Sequence, residues 1–137
     1  MRQSKILVTV VLTTLAIAGC TTQETKNQEP QQGVYELEAK EVIGSILFDQ
    51  KTYFLENNKF TTSFNDLRTA TVKTDAPDYT YHLKAKPDKK RGVAVTAVPK
   101  KANLKSFTGV VFIVNSDKTS TTVSEICETV SPSKKAP

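Results

Sequence analysis

Apolar residues recur at steps of three and four between positions 34 and 54, and this spacing limits the possible folds more than any other feature. They are Val34, Leu37, Val42, Ile43, Ile46, Leu47, Tyr53 and Phe54. Charged and amide side chains fill many of the positions between them, as on the wet side of an amphipathic helix. We predict one helix over residues 35–56, ended by Asn57 and Asn58. Gly44 falls in mid-helix, where glycine costs up to about 1 kcal/mol relative to alanine, and close packing against a sheet would explain it.

Four runs with strand character follow the predicted helix. They cover residues 79–84, 92–98, 108–115 and 119–127, and they are separated by turns rich in Lys, Pro, Asn and Asp. Tyr79, Tyr81 and Leu83 alternate with Thr80 and His82, so the first strand has one buried face and one wet face. A run of strands after one helix predicts an α+β fold, with one long N-terminal helix packed on a four-stranded antiparallel sheet.

The N-terminus carries the pattern of a bacterial lipoprotein signal. Basic residues precede an apolar run over residues 6–17, and the small residues Ala18 and Gly19 precede Cys20. Small residues let a peptidase reach the bond between Gly19 and Cys20, and the Cys20 thiol can carry a diacylglyceryl group into a bilayer. Two alternatives stay open: a secretory signal cleaved nearby, with Cys20 incidental, and an uncleaved anchor. The apolar run of about 12 to 14 residues is short for a membrane-spanning helix, which needs about 20.

The chain is predicted to divide into four parts. Residues 1–19 form the signal peptide, and residues 20–33 comprise the acylated Cys20 and a flexible polar tether without large apolar side chains up to position 32. Residues 34–130 form one domain, and residues 131–137 form a disordered tail. Within the domain, residues 59–77 are expected to be a loop that inserts Phe60, Phe64 and Leu67 into the core. Loss of the signal lowers the formal charge from +5 to +3.

No residue pattern in the chain indicates catalysis or metal binding. His82 is the sole histidine, and the chain has no spaced cysteine set, nucleophile elbow or phosphate-binding glycine loop. With Cys20 acylated, Cys127 is the remaining thiol, and the nearby Val123 and Ile126 suggest that it is buried. We therefore expect no enzyme, no metal and no cofactor other than the covalent lipid on Cys20.

Basic residues cluster in two predicted turns, where exposure to solvent explains them better than binding does, and they are also the candidate contact residues of the domain for anionic lipid or polysaccharide. The first cluster is Lys84, Lys86, Lys89, Lys90 and Arg91, and the second is Lys100 and Lys101. Scattered charge and the lack of an aromatic stacking platform argue against nucleic-acid binding.

Several stretches, read in order, match a known pattern. These are Glu38-Ala39-Lys40, Ile43-Gly44-Ser45, residues 50–57 (QKTYFLEN), Lys59-Phe60, Leu67, Tyr79-Thr80-Tyr81, residues 104–112 (LKSFTGVVF) and residues 125–128 (EICE). Over residues 38–128 they resemble type IV pilin-like proteins of the cyanobacterial G and H group. The resemblance implies a pilin fold, in which an N-terminal helix packs across a small antiparallel sheet.

The N-terminus departs from polymerising pilins. Polymerising members of the family retain an apolar helical stretch with a glutamate near its start, whereas here Cys20 is followed by polar residues. Resemblance and signal together predict a non-catalytic cell-envelope lipoprotein that displays a pilin-like domain as a binding or accessory component near a pilus or type II secretion system.

The predicted location is a membrane surface that faces the periplasm or the outside. Thr21, rather than an aspartate, follows Cys20, which slightly favours the outer membrane. The alternative function is a surface module that binds polysaccharide or solute with the same fold, and an enzyme with its site in the loop 59–77 is a third class.

Overall fold

One helix and four strands make up the computed structural model, which describes residues 30–68, 74–86, 91–116 and 119–137. Helix α1 spans Pro30–Asn57, and a short 3-10 turn follows at Phe64–Asp66. The strands are β1 (Tyr79–Ala85), β2 (Gly92–Pro99), β3 (Phe107–Asn115) and β4 (Ser120–Glu128). The α+β prediction is confirmed, and each strand lies within one or two residues of its predicted bounds.

The four strands form one sheet in chain order, and each neighbouring pair is antiparallel. Strands that pair in the sheet are also neighbours in sequence, which is the arrangement that antiparallel pairing allows. Helix α1 packs across β2, β3 and β4 on one face of the sheet. The fold is therefore one helical layer on one sheet layer.

The core lies between α1 and the sheet. Ile43 and Ile46 of the helix are fully buried, and they pack with Val95 of β2 and with Phe107 and Val111 of β3. Alternation along the strands places every second side chain toward the helix. Tyr79 and Tyr81 are buried as predicted, while His82 on the opposite phase is exposed.

The helix and the sheet approach most closely at Gly109, and not at Gly44. A Cβ on Gly109 would lie 2.4 Å from Ile43 Cγ2 and 2.9 Å from Leu47 Cδ1, whereas nothing lies within 4 Å of a Cβ on Gly44. The expectation that Gly44 permits close packing on the sheet is therefore wrong. Its position on the helix turns it away from the sheet, and the contact that needs glycine is made by β3.

The loop after α1 is held by a buried amide. Gln50 Nε2 donates to the carbonyl of Thr61 (2.8 Å), and the Thr61 N–H donates to Gln50 Oε1 (3.1 Å). Phe60 and Leu67 are buried and Phe64 packs against the core, so the three predicted pins of this loop are confirmed.

Both predicted ends of the domain differ from the structure. The helix begins at Pro30, four residues before the predicted start of the domain at position 34. Proline suits a first helical turn, and the Gln32 side chain donates to the carbonyl of Asn103 (2.6 Å), which holds this turn against the domain. At the other end, Ser133 N–H donates to the carbonyl of Leu104 (3.1 Å), and buried Ser106 Oγ donates to the carbonyl of Lys135. The tail predicted to be disordered therefore pairs with the loop before β3.

Candidate interaction surfaces

An apolar stripe lies on the side of α1 that faces away from the sheet. Val34 is 53% exposed, Leu37 57%, Phe48 69% and Leu55 79%. Helical periodicity brings these residues to one side, opposite the buried Ile43 and Ile46. We call this surface the outer helix face, and its residues are Val34, Leu37, Glu41, Gly44, Ser45, Phe48, Thr52 and Leu55.

A shallow depression occupies the middle of the outer helix face. It is lined by Glu41, Gly44, Ser45, Phe48 and Asp49. The depression exists because Gly44 contributes no side chain between those of Glu41 and Phe48. Ser45 Oγ donates to the Glu41 carbonyl of its own helix (3.0 Å), so its hydroxyl is already satisfied. The depression therefore offers a largely apolar floor at the helix surface.

The outer helix face differs from what the apolar pattern of the sequence predicts. Val34 and Leu37 were predicted to lie on the buried side of the helix, and this prediction is wrong because both point away from the sheet. Phe48 and Leu55 were not assigned to either side. A step of 100° per residue places all four on one side of the helix, so the helical period alone is enough to predict that they form one surface.

The opposite side of α1 is fastened to the sheet by an ionic cluster. Lys40 and Lys105 both form ion pairs with Glu128 at the end of β4. The distance from Lys105 Nζ to Glu128 Oε1 is 2.9 Å. Hydrogen bonds from Lys40 and then Lys105 lower the pKa of the Glu128 carboxyl. Glu36 accepts from the backbone N–H of Lys105 (3.1 Å). These charges are used within the domain and hold α1 in place.

The first basic cluster lies at the turn between β1 and β2. Lys84, Lys86 and Arg91 are exposed, whereas Lys89 and Lys90 lie outside the described residues. Lys84 and Lys86 line a second open depression together with Ala85 and Ala94. Within the described ranges neither lysine forms an ion pair, so both ammonium groups are available to an acidic ligand.

The second basic cluster is engaged in the fold. Lys100 pairs with Asp75 (2.7 Å) and lowers the pKa of that carboxyl. Lys101 pairs with Asp78 (2.7 Å), and its Nζ lies 4.4 Å from the ring centroid of Tyr35. These lysines therefore fasten the segment before β1, and they are less accessible to a ligand than the sequence suggested.

Cys127 is exposed, contrary to the expectation of burial. It pairs with Thr108 in the sheet register, so it shares the sheet face that points away from α1. Val123 lies on that same outer face and Ile126 on the inner one, because the side chains of a strand alternate. The two neighbours therefore could not both indicate burial.

Gly19 and Cys20 lie outside the described residues. Within the described ranges, no three potential metal ligands come together, and no helix combines the length and the apolar character needed to cross a membrane.

Strand β4 forms one edge of the sheet. No other described strand pairs with its outer side, and the strand is nine residues long without lysine or proline. Lysine, proline and short length are the usual protections of an edge against pairing with another chain. Apart from the charges of Glu125 and Glu128, the strand has none of these protections, and the backbone groups on its outer side pair with no other described strand.

The family model that matches the chain is that of the type IV pilin-like G and H proteins, and the match covers residues 36–137. Comparisons with curated proteins and with solved structures gave no match.

Proposed function

The chain belongs to the type IV pilin-like G and H family, and on that premise we propose that it is a non-catalytic lipoprotein of the cell envelope. In this proposal its pilin-like domain is an accessory or binding component of a pilus or a type II secretion system. The observation that carries the proposal is the combination of a pilin-like domain with the lipoprotein signal that ends in Cys20.

The distance from Cys20 to the fold supports display at a membrane surface. Helix α1 begins at Pro30, so residues 21–29 separate the lipidated cysteine from the domain. Even fully extended, a stretch of that length spans no more than about 35 Å. These residues are polar and include no large apolar side chain that could continue the helix as an apolar spine. The domain would stay close to the membrane and outside a filament core.

Edge strand β4 supports recognition by strand addition. An extended segment of a partner would pair with the backbone of β4, and its alternate side chains would lie on the outer sheet face beside Val123 and Cys127. This mode needs no catalytic group and no cofactor. It also leaves the contacts between α1 and the sheet unchanged.

The anchor is tested by replacing its cysteine. Cys20→Ala should abolish incorporation of a clickable fatty acid and release the protein from membranes, whereas Thr21→Ala, a control next to the acylated residue, should behave like the wild type. Membrane retention that is unchanged in Cys20→Ala would refute the lipid anchor.

The partner is tested by cross-linked capture from native membranes. We expect pilus or secretion components with the wild type, and a loss of these components with Val123→Lys, which places a charge on the edge strand. Recovery of the same components by the soluble Cys20→Ala form would show recognition without the anchor. If no envelope machinery is recovered with the acylated protein, the accessory role is wrong.

A second candidate function follows from Lys84 and Lys86. Both lysines are exposed and line one depression, which favours contact with an acidic polysaccharide. Retention on such a polysaccharide should weaken with salt and with Lys84→Ala/Lys86→Ala. The matched control removes Lys134 and Lys135, two exposed lysines of the C-terminal segment. Equal retention of both variants would refute this function.

A further inference from the structure

We propose that the outer helix face binds a second copy of this chain. In the dimer the two α1 helices pack antiparallel, and the two-fold axis passes beside Gly44 and Ser45. Helix α1 has 28 residues, from Pro30 to Asn57, so these two small residues lie next to its midpoint. A symmetric dimer uses the same surface on both copies, which places strict demands on the residue pattern of that surface.

The outer helix face has the required symmetry. Val34 lies ten residues before Gly44, and Leu55 lies ten residues after Ser45. In an antiparallel pair the exposed Val34 of each copy therefore lies opposite Leu55 of the other. The exposed Leu37 lies seven residues before Gly44, opposite the aliphatic part of the threonine seven residues after Ser45.

The depression at the midpoint accommodates the largest side chain of the face. Glu41 lies three residues before Gly44, and Phe48 lies three residues after Ser45, so each Phe48 comes to the depression beside the other copy's glycine. Space is open at Gly44, where nothing lies within 4 Å of an added Cβ. Small residues at the axis let two helices approach to about 8 Å. Phe48, 69% exposed in one copy, would be covered in the dimer.

Charge selects the antiparallel direction and a second copy as the occupant. The exposed carboxylate of Glu41 lies in the first half of the outer helix face, and the ammonium group of Lys51 lies at the edge of its second half. Antiparallel packing brings Glu41 of each copy toward Lys51 of the other. Parallel packing would place like charges together. Lys40 and Glu56 do not enter this balance, because they pair with Glu128 and Arg68 in their own chain. Asp49, which also lines the depression, does not enter it either, because it is buried and engaged within its own chain.

The contact is small, which decides how it must be detected. From Val34 to Leu55 the face runs about 32 Å along the helix, and with a width of about 10 Å it buries on the order of 600 Å² over both copies. Stable interfaces usually exceed about 1,000 Å². The dimer is therefore weak in dilute solution, and covalent trapping detects it better than an equilibrium size measurement.

Cysteine trapping in the full-length protein tests the arrangement. The background is Cys127→Ser, which must give no cross-link by itself. Ser45→Cys should cross-link to itself with a short bifunctional reagent. Val34→Cys should not, but it should cross-link to Leu55→Cys when the two are co-expressed with different tags. Self-cross-linking of Val34→Cys would show parallel packing and would overturn the proposal. Two further results would also overturn it: no cross-link at all, or cross-links only to a different protein.

Interface variants test the contacts in the same assay, with Ser45→Cys as reporter. Phe48→Ser should reduce the cross-linked fraction at least fivefold without lowering Tm, because the side chain is exposed in one copy. Val130→Ser, which changes a valine that is 99% exposed elsewhere, should have no effect. Glu41→Lys and Lys51→Glu should each reduce trapping, and the two together should restore it. Equal trapping by all variants would overturn the proposal.

Discussion

Adding one methyl group at Gly109 tests the packing of α1 on the sheet directly. The new Cβ of Gly109→Ala would lie 2.4 Å from Ile43 Cγ2, 2.9 Å from Leu47 Cδ1 and 3.1 Å from Val95 Cγ1. Contacts below 3.0 Å cannot persist, so the helix or its side chains must move. Overpacking of this kind costs about 1–3 kcal/mol. In a strand, alanine is otherwise more stabilising than glycine by about 0.5–1 kcal/mol. A net loss of stability in Gly109→Ala can therefore be attributed to the close contact of the new methyl group.

Gly44→Ala is the matched control, since the same methyl group is added on the free side of the helix. Its Cβ meets nothing within 4 Å, and alanine is favoured over glycine in a helix by about 0.8–1 kcal/mol. Urea unfolding at low protein concentration should therefore show a lower free energy of unfolding than the wild type for Gly109→Ala and a higher one for Gly44→Ala. In a domain of this size, 1 kcal/mol corresponds to roughly 4–8 °C in Tm.

A double variant identifies the atom responsible. Ile43→Ala removes Cγ2, the nearest obstacle, so Gly109→Ala should cost less in that background than in the wild type. If Gly109→Ala is neutral or stabilising, or if it costs the same stability in both backgrounds, the side chain of Ile43 does not pack against β3 at Gly109.

Three further predictions concern buried and charged groups. Gln50→Leu leaves the N–H and C=O of Thr61 without partners and should lower the free energy of unfolding by about 2–4 kcal/mol in urea. Gln50→Glu should lose stability as well at neutral pH, because its buried carboxylate would face the carbonyl of Thr61, and it should recover stability when acidification protonates it. The lowered pKa of Glu128 means that its ion pairs stabilise the fold above about pH 4.5 and are lost as the pH falls further. The difference in Tm between wild type and Glu128→Gln should therefore shrink below that pH. A difference that stays constant would contradict this prediction. Burial raises the pKa of Tyr81 from 10.0 to about 12, so the folded state favours the neutral phenol. The stability that the neutral phenol contributes should be complete below pH 10 and should fall between pH 10 and 12. An unfolding free energy that does not change over that interval, relative to Tyr81→Phe, would refute this prediction.

The sequence predicted most of the architecture because local patterns express it. Period-two alternation identified the strands, and Tyr79 and Tyr81 have the burial that this pattern indicates. The three- and four-residue spacing identified the helix. The same spacing did not assign Val34 and Leu37 to the correct side, because an apolar residue looks the same whether it faces a sheet or another molecule.

The errors at both ends of the domain have a common cause. Polar residues such as Gln32 and Ser133 give no sign in the sequence that they will be ordered, since neither buries apolar surface. Each is held by a partner distant in the chain, Asn103 and Leu104 respectively. Local composition cannot report a hydrogen bond between residues about 30 or 70 positions apart.

By itself, the sequence determined the element types, their order and the antiparallel sheet, which follow from periodicity and composition over short windows. The family came from the resemblance of several short motifs in their order along the chain, and the family model confirms it. Only the tertiary structure decided that Gly109 meets the helix while Gly44 faces outward, and that Lys100 and Lys101 are engaged within the fold. It also decided that the other described residues leave an apolar stripe of α1 uncovered. These depend on the rotation of the helix about its axis and on the register of the sheet, which packing fixes for the whole domain at once.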